Sequence, residues 1–222
     1  VEAARARGYA YVAICDHSPA VRVAGGLEPD RLLAQVERIR RLNQELDGFQ
    51  VLVGTEGDIL ADGQLDYPDE LLAQLDFVVA SIHSHMSQDP ETLLERYRKA
   101  LASPWVDCIG HPTGRLLGRR EAMAVPVEAL VELAAERGVA LEINASPERL
   151  DLDSRWARLA ARAGVPLAIN TDAHHPDHLA FAEYGVGVAR RAGLTADQVI
   201  NAWPPERLLA WIRSRRDRAR RR

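Results

Sequence analysis

The stretch Leu167-Ala168-Ile169-Asn170-Thr171-Asp172-Ala173-His174 joins a short apolar run to an aspartate and a histidine two positions apart. Such an apolar run predicts a buried strand. Placing two metal-binding side chains at the end of a buried strand is costly unless a cation lies nearby. The stretch therefore indicates a metal-binding group at the carboxyl end of a strand inside the protein.

Five other apolar runs lead into polar, mostly metal-binding side chains. They are residues 12–15, followed by Asp16 and His17; residues 51–53, followed by Glu56 and Asp58; residues 77–82, followed by His83 and His85; residues 106–109, followed by His111; and residues 141–143, followed by Asn144. The carboxyl ends of the parallel strands of an α/β barrel meet at one face, where the active sites of such barrels lie. The repeated pattern predicts an α/β barrel with a metal site at that face.

The order of predicted elements agrees with a barrel. Strands are predicted at residues 9–15, 49–53, 76–82, 107–110, 139–143 and 166–170, with helical periodicity between most of them. Strands alternating with helices form a parallel sheet through right-handed crossovers. Gly185 and Gly187 predict a short strand or loop before a helix within residues 180–191, and residues 205–216 predict a terminal helix. Six strands are one fewer than a seven-stranded barrel requires.

Composition describes one globular domain over residues 1–222, with 47% hydrophobic and 27% charged residues. No apolar run is as long as a membrane span and no signal-peptide pattern is present, so we expect a cytoplasmic protein without a membrane partner. Cys15 and Cys108 lie in predicted strands, and we expect reduced thiols. Residues 213–222 form a basic C-terminal tail with seven arginines in a chain of net charge −4. This tail either contacts a phosphate backbone or is a solvated helix end.

The histidines and carboxylates at the strand ends carry the predicted chemistry. Each one alone is readily explained as a hydrogen-bonded core residue or a turn former, but their repeated position after strands favours a shared metal site. A histidine and carboxylate mixture without cysteine suits Zn, Mn or Fe. Neighbouring metals can share a carboxylate and generate a hydroxide nucleophile for phosphoester hydrolysis, so no side-chain nucleophile is needed. The candidates are His17, Glu56, His83, His111, Asp172 and His174.

Five short motifs resemble, in order, those of the PHP (polymerase and histidinol phosphatase) metallo-phosphoesterases. They are Cys15-Asp16-His17, Gly54-Thr55-Glu56, Ser81-Ile82-His83, Gly110-His111-Pro112 and Thr171-Asp172-Ala173-His174. Residues 17–27, 111–120 and 201–204 further resemble the PHP domain at the C-terminus of bacterial family X DNA polymerases. The resemblance implies a distorted (β/α)7 barrel. The family's first strand, which ends in His-x-His, is not in this chain, so the resemblance implies an N-terminally incomplete barrel.

The resemblance also implies roles for the candidates, with two to three divalent metals in the site. Glu56 would bridge two metals, one held also by Asp172 and the other by His83 and His111. His17 and His174 would belong to a third metal. Arg22 and Arg115, each in a loop beside a ligand, are candidates for binding substrate phosphate. The supporting residues expected behind the ligands are Asp16, Asp58, His85 and Asn144.

The function implied by this resemblance is Mn-dependent 3′–5′ exonuclease activity on DNA 3′ ends, in a longer chain with an upstream polymerase domain. Without the His-x-His strand, the isolated chain is expected to bind metal incompletely and to hydrolyse poorly. Two alternatives stay open at this point. One is a free-standing PHP phosphatase of the histidinol-phosphatase type, and the other is a PHP module that serves only in structure.

Overall fold

A computed structural model describes residues 1–221 as a parallel sheet surrounded by helices. The strands are β1 (Tyr11–His17), β2 (Gln50–Asp58), β3 (Phe77–Ser81), β4 (Cys108–Ile109), β5 (Ala140–Asn144) and β6 (Leu167–Asn170). The α-helices are α1 (Glu2–Ala6), α2 (Pro29–Glu45), α3 (Asp69–Leu72), α4 (Pro90–Ala102), α5 (Val127–Arg137), α6 (Ser154–Arg162), α7 (Ala182–Ala192) and α8 (Pro205–Arg220). Short 3-10 turns occur at Arg22–Ala24, Pro176–Phe181, Ala196–Gln198 and Ile200–Ala202.

The six strands are neighbours in chain order and every pair is parallel. The sheet curls into a half-barrel, and no strand pairing joins β1 to β6 within residues 1–221. This confirms the predicted α/β architecture of a (β/α)7 barrel lacking one strand. All carboxyl strand ends therefore lie along one edge of the curled sheet.

Strands β1 and β2 extend further than the sequence pattern predicted. Asp16 and His17 do not break the first strand, because they pair in register with Thr55 and Glu56 of β2. Their polar side chains predict a strand end, but a parallel ladder needs only backbone groups and continues through them. The extension places His17 directly beside Glu56 inside the curled sheet.

Residues 180–191 were predicted to contain a short strand or loop, and this was wrong. The structure has the 3-10 turn Pro176–Phe181 leading into helix α7, which contains Gly185 and Gly187. A Cβ atom at position 185 would lie 2.5 Å from Ile169 Cγ2 and 2.9 Å from Ala145 Cβ. Gly185 thus permits close packing of a helix on β6 and is not a turn signal.

The apolar core lies between the sheet and its helices. Leu32, Val36 and Ile39 of α2 pack against β1 and β2, and a larger cluster joins β4 and β5 to α4, α5 and α6. Cys15 and Cys108 are free thiols, as predicted. Among residues 1–221, no helix has both the length and the apolar character needed to cross a membrane.

Most of the predicted basic tail is ordered. Helix α8 continues to Arg220, four residues beyond the predicted end, and Arg215 and Arg216 are buried. Both guanidinium groups lie 2.5 Å from the carboxylate of Asp107, which immediately precedes β4. These two arginines therefore attach α8 to the amino end of the sheet, opposite the edge that carries the candidate ligands.

Candidate metal centre

Glu56 lies at the centre of the predicted ligands. Its side-chain oxygens are 3.2 Å from His17 Nδ1, 3.4 Å from His83 Nε2 and 2.9 Å from His111 Nε2. The three histidines lie at the ends of three different strands. Two of these strands pair with β2, and the third is the next strand along the sheet. The fold therefore brings together four side chains that are up to 94 residues apart in the sequence.

The remaining two candidates border the same cluster. The ring of His174 is 5.8 Å from that of His17, centroid to centroid. His174 Nδ1 lies 3.7 Å from Asp172 Oδ1, and both residues follow β6. All six predicted ligands therefore meet at the carboxyl edge of the sheet. Their division among individual metals remains a prediction.

The arrangement has the properties of a cation site. His17, Glu56 and His83 each offer a ligand atom, and these atoms lie within 4.8 Å of one another. His17 Nδ1 and His83 Nε2 are buried and make no hydrogen bond, although both lie near Glu56 oxygens. Buried polar atoms normally have partners, and a cation would supply one here. The donors present thus fit a divalent metal such as Zn, Mn or Fe.

The electrostatics of the cluster keep Glu56 ionised. Burial alone would raise the pKa of Glu56, but the imidazoles of His111 and His83 beside it outweigh this effect and hold the pKa well below its usual value. Burial would lower the pKa of His83, yet the neighbouring carboxylates of Asp58 and Glu56 raise it to about 9. Burial lowers the pKa of His17. A metal binding here would compete with protons for these imidazoles, because histidine coordinates metals in its neutral form.

Two of the four predicted supporting residues contact ligands. Asp58 Oδ1 accepts a hydrogen bond from the backbone N–H of His83 and lies 3.0 Å from His83 Nδ1, which turns Nε2 toward Glu56. Asn144 Nδ2 donates to Asp172 Oδ2 over 3.1 Å. Second partners of this kind fix the orientation of metal ligands.

The other two supporting residues lie elsewhere. Asp16 accepts a hydrogen bond of 2.5 Å from Gln35 Nε2 and thereby ties β1 to α2. His85 is exposed, and its carbonyl oxygen accepts from the buried Arg96. Neither of these two contacts brings the side chain to the ligand cluster. The sequence pattern did not separate them from Asp58 because all four follow or end a strand.

The predicted phosphate-binding arginines differ in their surroundings. Arg115 donates to the carbonyl oxygens of Arg149 and Leu150 and lies 3.6 Å from Asp153 Oδ2. Because these contacts use its guanidinium to hold a loop, the geometry argues against a phosphate contact for Arg115. Arg22 lies exposed in the turn after β1, and its role remains a prediction.

Arg149 is a site residue that the sequence analysis missed. Its Nε lies 3.3 Å from Asp172 Oδ2, and its Nη1 is buried without a hydrogen-bond partner. The backbone of this arginine is held by Arg115. Its position in the loop after β5, at the same edge as the ligand loops, is the signal that would have found it.

Comparisons with known proteins place the chain in a family. A family model described as PHP domain matches residues 1–146, more than half of the chain. The chain is 45% identical over 201 residues to the DNA polymerase/3′-5′ exonuclease PolX of Bacillus subtilis (strain 168), covering 90% of this chain but only 35% of that protein. It is 31% identical over 209 residues to a probable phosphatase of Syntrophotalea carbinolica, covering 90% of this chain and 82% of that protein.

A solved structure gives the same fold. It is the histidinol phosphate phosphatase of Lactococcus lactis in complex with zinc, L-histidinol and phosphate. The TM-score is 0.62 at 16% identity, over 87% of this chain and 86% of that one. The motifs, the half-barrel and the match over residues 1–146 lead to one conclusion. The chain belongs to the PHP domain family.

Proposed function

We propose that this chain is the metal-dependent phosphoesterase module of a family X DNA polymerase and removes nucleotides from DNA 3′ ends. The observation that carries the proposal is the 45% identity to PolX over 90% of this chain, together with a cluster in which Glu56 meets three histidines. The chain spans 35% of the length of that relative. An upstream polymerase domain, DNA as partner and a cytoplasmic location are parts of this proposal.

The residues present define what each part of the site would do. Divalent metals held by Glu56, the three histidines around it and the Asp172–His174 pair would supply Lewis-acid charge and an activated water for attack on phosphorus. Mn, Zn and Fe all suit these donors, and two or three ions are proposed. Asp58 keeps the ring of His83 aimed at Glu56.

Arg149 is the proposed contact for substrate phosphate. Its buried Nη1 has no hydrogen-bond partner, while its Nε is held by Asp172. A guanidinium with a free N–H beside a ligand carboxylate is well placed to bind a phosphate oxygen. Arg115 would act indirectly by fixing the backbone of Arg149.

The second candidate function is hydrolysis of a small phosphomonoester by a free-standing phosphatase. It is favoured by the coverage of the probable phosphatases, since this chain spans 82% of the Syntrophotalea carbinolica protein. Such relatives are 29–33% identical, against 45% for PolX. The higher identity makes the exonuclease our first proposal.

A substrate comparison tests the proposal. The natural full-length protein and the 222-residue chain are assayed with Mn²⁺ on a 3′-labelled oligonucleotide and on histidinol phosphate, with Glu56→Gln as the inactive control. We expect nucleotide release from the 3′ end by the full-length protein and weaker release by the chain alone. Turnover of histidinol phosphate without release of nucleotides would favour the phosphatase. No hydrolysis of either substrate by metal-loaded full-length protein would favour a structural module.

The proposed role of Arg149 has its own comparison. Arg149→Met should raise KM for the oligonucleotide by about tenfold or more, because a charge-assisted phosphate contact contributes about 1.5–3 kcal/mol. Arg119→Met is the matched control, since Arg119 makes an exposed ion pair with Glu148 at 3.3 Å. Equal kinetics for both variants would contradict a phosphate contact for Arg149.

A further inference from the structure

A buried carboxylate lies within hydrogen-bonding distance of the ligand loops. Glu142, in β5, is only 4% exposed. Its Oε2 accepts from the backbone N–H of His111 at 2.5 Å and from Asn144 Nδ2 at 3.2 Å, and its Oε1 accepts from Asn170 Nδ2 at 2.7 Å. Three donors from three different strands or strand ends therefore converge on one carboxylate. Both oxygens are committed to these donors.

Two of the candidate ligands have a backbone conformation that side chains rarely adopt. His111 has φ of 26° and Asp172 has φ of 52°. Left-handed conformations of non-glycine residues cost free energy and persist only where surrounding contacts hold them. Glu142 holds His111 directly through its N–H, and it holds Asp172 through Asn144, whose Nδ2 also donates to Asp172 Oδ2 at 3.1 Å.

Gly110 shows how tightly the His111 backbone is placed. A Cβ atom at position 110 would lie 2.3 Å from Ser81 Oγ, 2.8 Å from Val79 Cγ1 and 3.6 Å from Glu142 Oε2. The chain before His111 therefore rests on β3 with no room for a side chain. This contact directs the backbone N–H of His111 at Glu142. The imidazole of His111 is directed at Glu56.

We infer that Glu142 is a positioning residue, which sets the distance between His111 and Asp172 by binding one directly and the other through Asn144. The inference rests on the proposed metal centre and deepens it. Three of the roughly four acceptor sites of this carboxylate are taken by these donors, so we place Glu142 behind the ligands. It acts through the residues that would hold the metal.

The free-energy cost of burying the Glu142 carboxylate agrees with a role in positioning. Glu142 is 4% exposed, and burying a carboxylate costs free energy unless hydrogen bonds compensate it. An apolar side chain of similar size would fill the same space without that cost. What only a carboxylate provides here is acceptance of three hydrogen bonds at once.

Metal affinity of the full chain tests the inference. Glu142→Gln keeps the size of the side chain but presents an amide NH₂ to at least one of the three donors. Mn²⁺ and Zn²⁺ binding to chelator-treated protein is measured by calorimetry, and the free energy of unfolding is measured without metal. We expect binding about 10–100-fold weaker than wild type, as for other residues that orient metal ligands. The number of ions bound at saturation should not change.

A rescue variant and a control separate positioning from general damage. In the double variant Glu142→Gln and Asn170→Asp, the carboxylate at 170 can accept from the amide NH₂, and the net charge is restored. We expect affinity within about threefold of wild type. Asp151→Asn is the control, because Asp151 is equally buried but accepts from Thr113 and not from a ligand. It should leave metal affinity unchanged.

Three results would overturn the inference. They are unchanged metal affinity in Glu142→Gln, affinity loss no greater than in Asp151→Asn, and one fewer ion at saturation, which would make Glu142 a ligand. Wild-type protein that binds no divalent metal would overturn the proposed function as well. Weaker binding in Glu142→Gln with rescue by the double variant supports the inference whichever phosphoester proves to be the substrate.

Discussion

Replacing Asp107 by alanine should detach the terminal helix. Asp107 is fully buried, and its carboxylate oxygens lie 2.5 Å from Arg215 Nη2 and 2.5 Å from Arg216 Nη2. It also accepts a hydrogen bond of 3.0 Å from the backbone N–H of Val78. One side chain therefore joins α8 to the amino ends of β3 and β4.

The expected loss in the free energy of unfolding follows from the two arginines that alanine would leave without a counter-charge. Arg215 and Arg216 are 1% and 7% exposed, so both guanidinium groups would stay buried without their counter-charge. Breaking a buried ion pair by removing one partner costs about 3–5 kcal/mol. The arginines also donate to the carbonyl oxygens of Pro104 and Leu75, which limits the loss. We expect a decrease of about 3–5 kcal/mol in the free energy of unfolding.

Urea denaturation of metal-free protein, followed by circular dichroism, measures this decrease. The matched control is Asp217→Ala in the same helix, where Asp217 and Arg220 form an ion pair of 3.0 Å with side chains more than half exposed. Exposed pairs contribute about 0–1 kcal/mol. A loss below about 1 kcal/mol for Asp107→Ala would refute the reasoning. It would mean that α8 is held mainly by its apolar residues.

Two further predictions concern pH and packing. Burial lowers the pKa of His83, but the neighbouring carboxylates of Asp58 and Glu56 outweigh it and raise the pKa from 6.5 to about 9. In metal-free protein this stabilisation, about 3 kcal/mol at most, is therefore present below pH 6.5 and is lost as the pH rises through 9; unfolding free energies that stay level over this range would contradict it. Gly185→Ala should cost about 1–3 kcal/mol by overpacking, whereas Gly187→Ala, with open space around it, should stabilise α7 by up to about 1 kcal/mol. Thermal unfolding of the two variants checks this, and equal shifts would show that Gly185 is not tightly packed.

Much of the site could be predicted from the sequence because its signal is local. Each candidate ligand follows or ends an apolar run, and parallel strands bring their carboxyl ends to one edge of a sheet. The structure places all six candidates there, with three histidines around Glu56 and the Asp172–His174 pair beside them. The extension of β1 and β2 through Asp16–His17 and Glu56–Asp58 was missed, because backbone pairing does not depend on side-chain polarity.

Helical glycines and buried charges were the main sources of error. Gly185 fits the pattern of a turn, but the structure needs a glycine there because Ile169 and Ala145 leave no room for a side chain. Arg215 and Arg216 belong to a run of arginines with the pattern of a solvated tail. Their burial depends on Asp107, which is more than 100 residues away in the chain.

The sequence by itself therefore determined the α/β class, the six strands and the residue types of a histidine and carboxylate metal centre, because periodicity and strand-end chemistry are encoded over a few neighbouring residues. The tertiary structure alone decided which polar groups face one another. It brought Arg149 to Asp172, placed Arg115 against the backbone of Arg149 and joined His111 to Asp172 through Glu142 and Asn144. These contacts link residues distant in the chain, and a hydrogen bond depends on distances of a few tenths of an ångström that only the packed fold fixes.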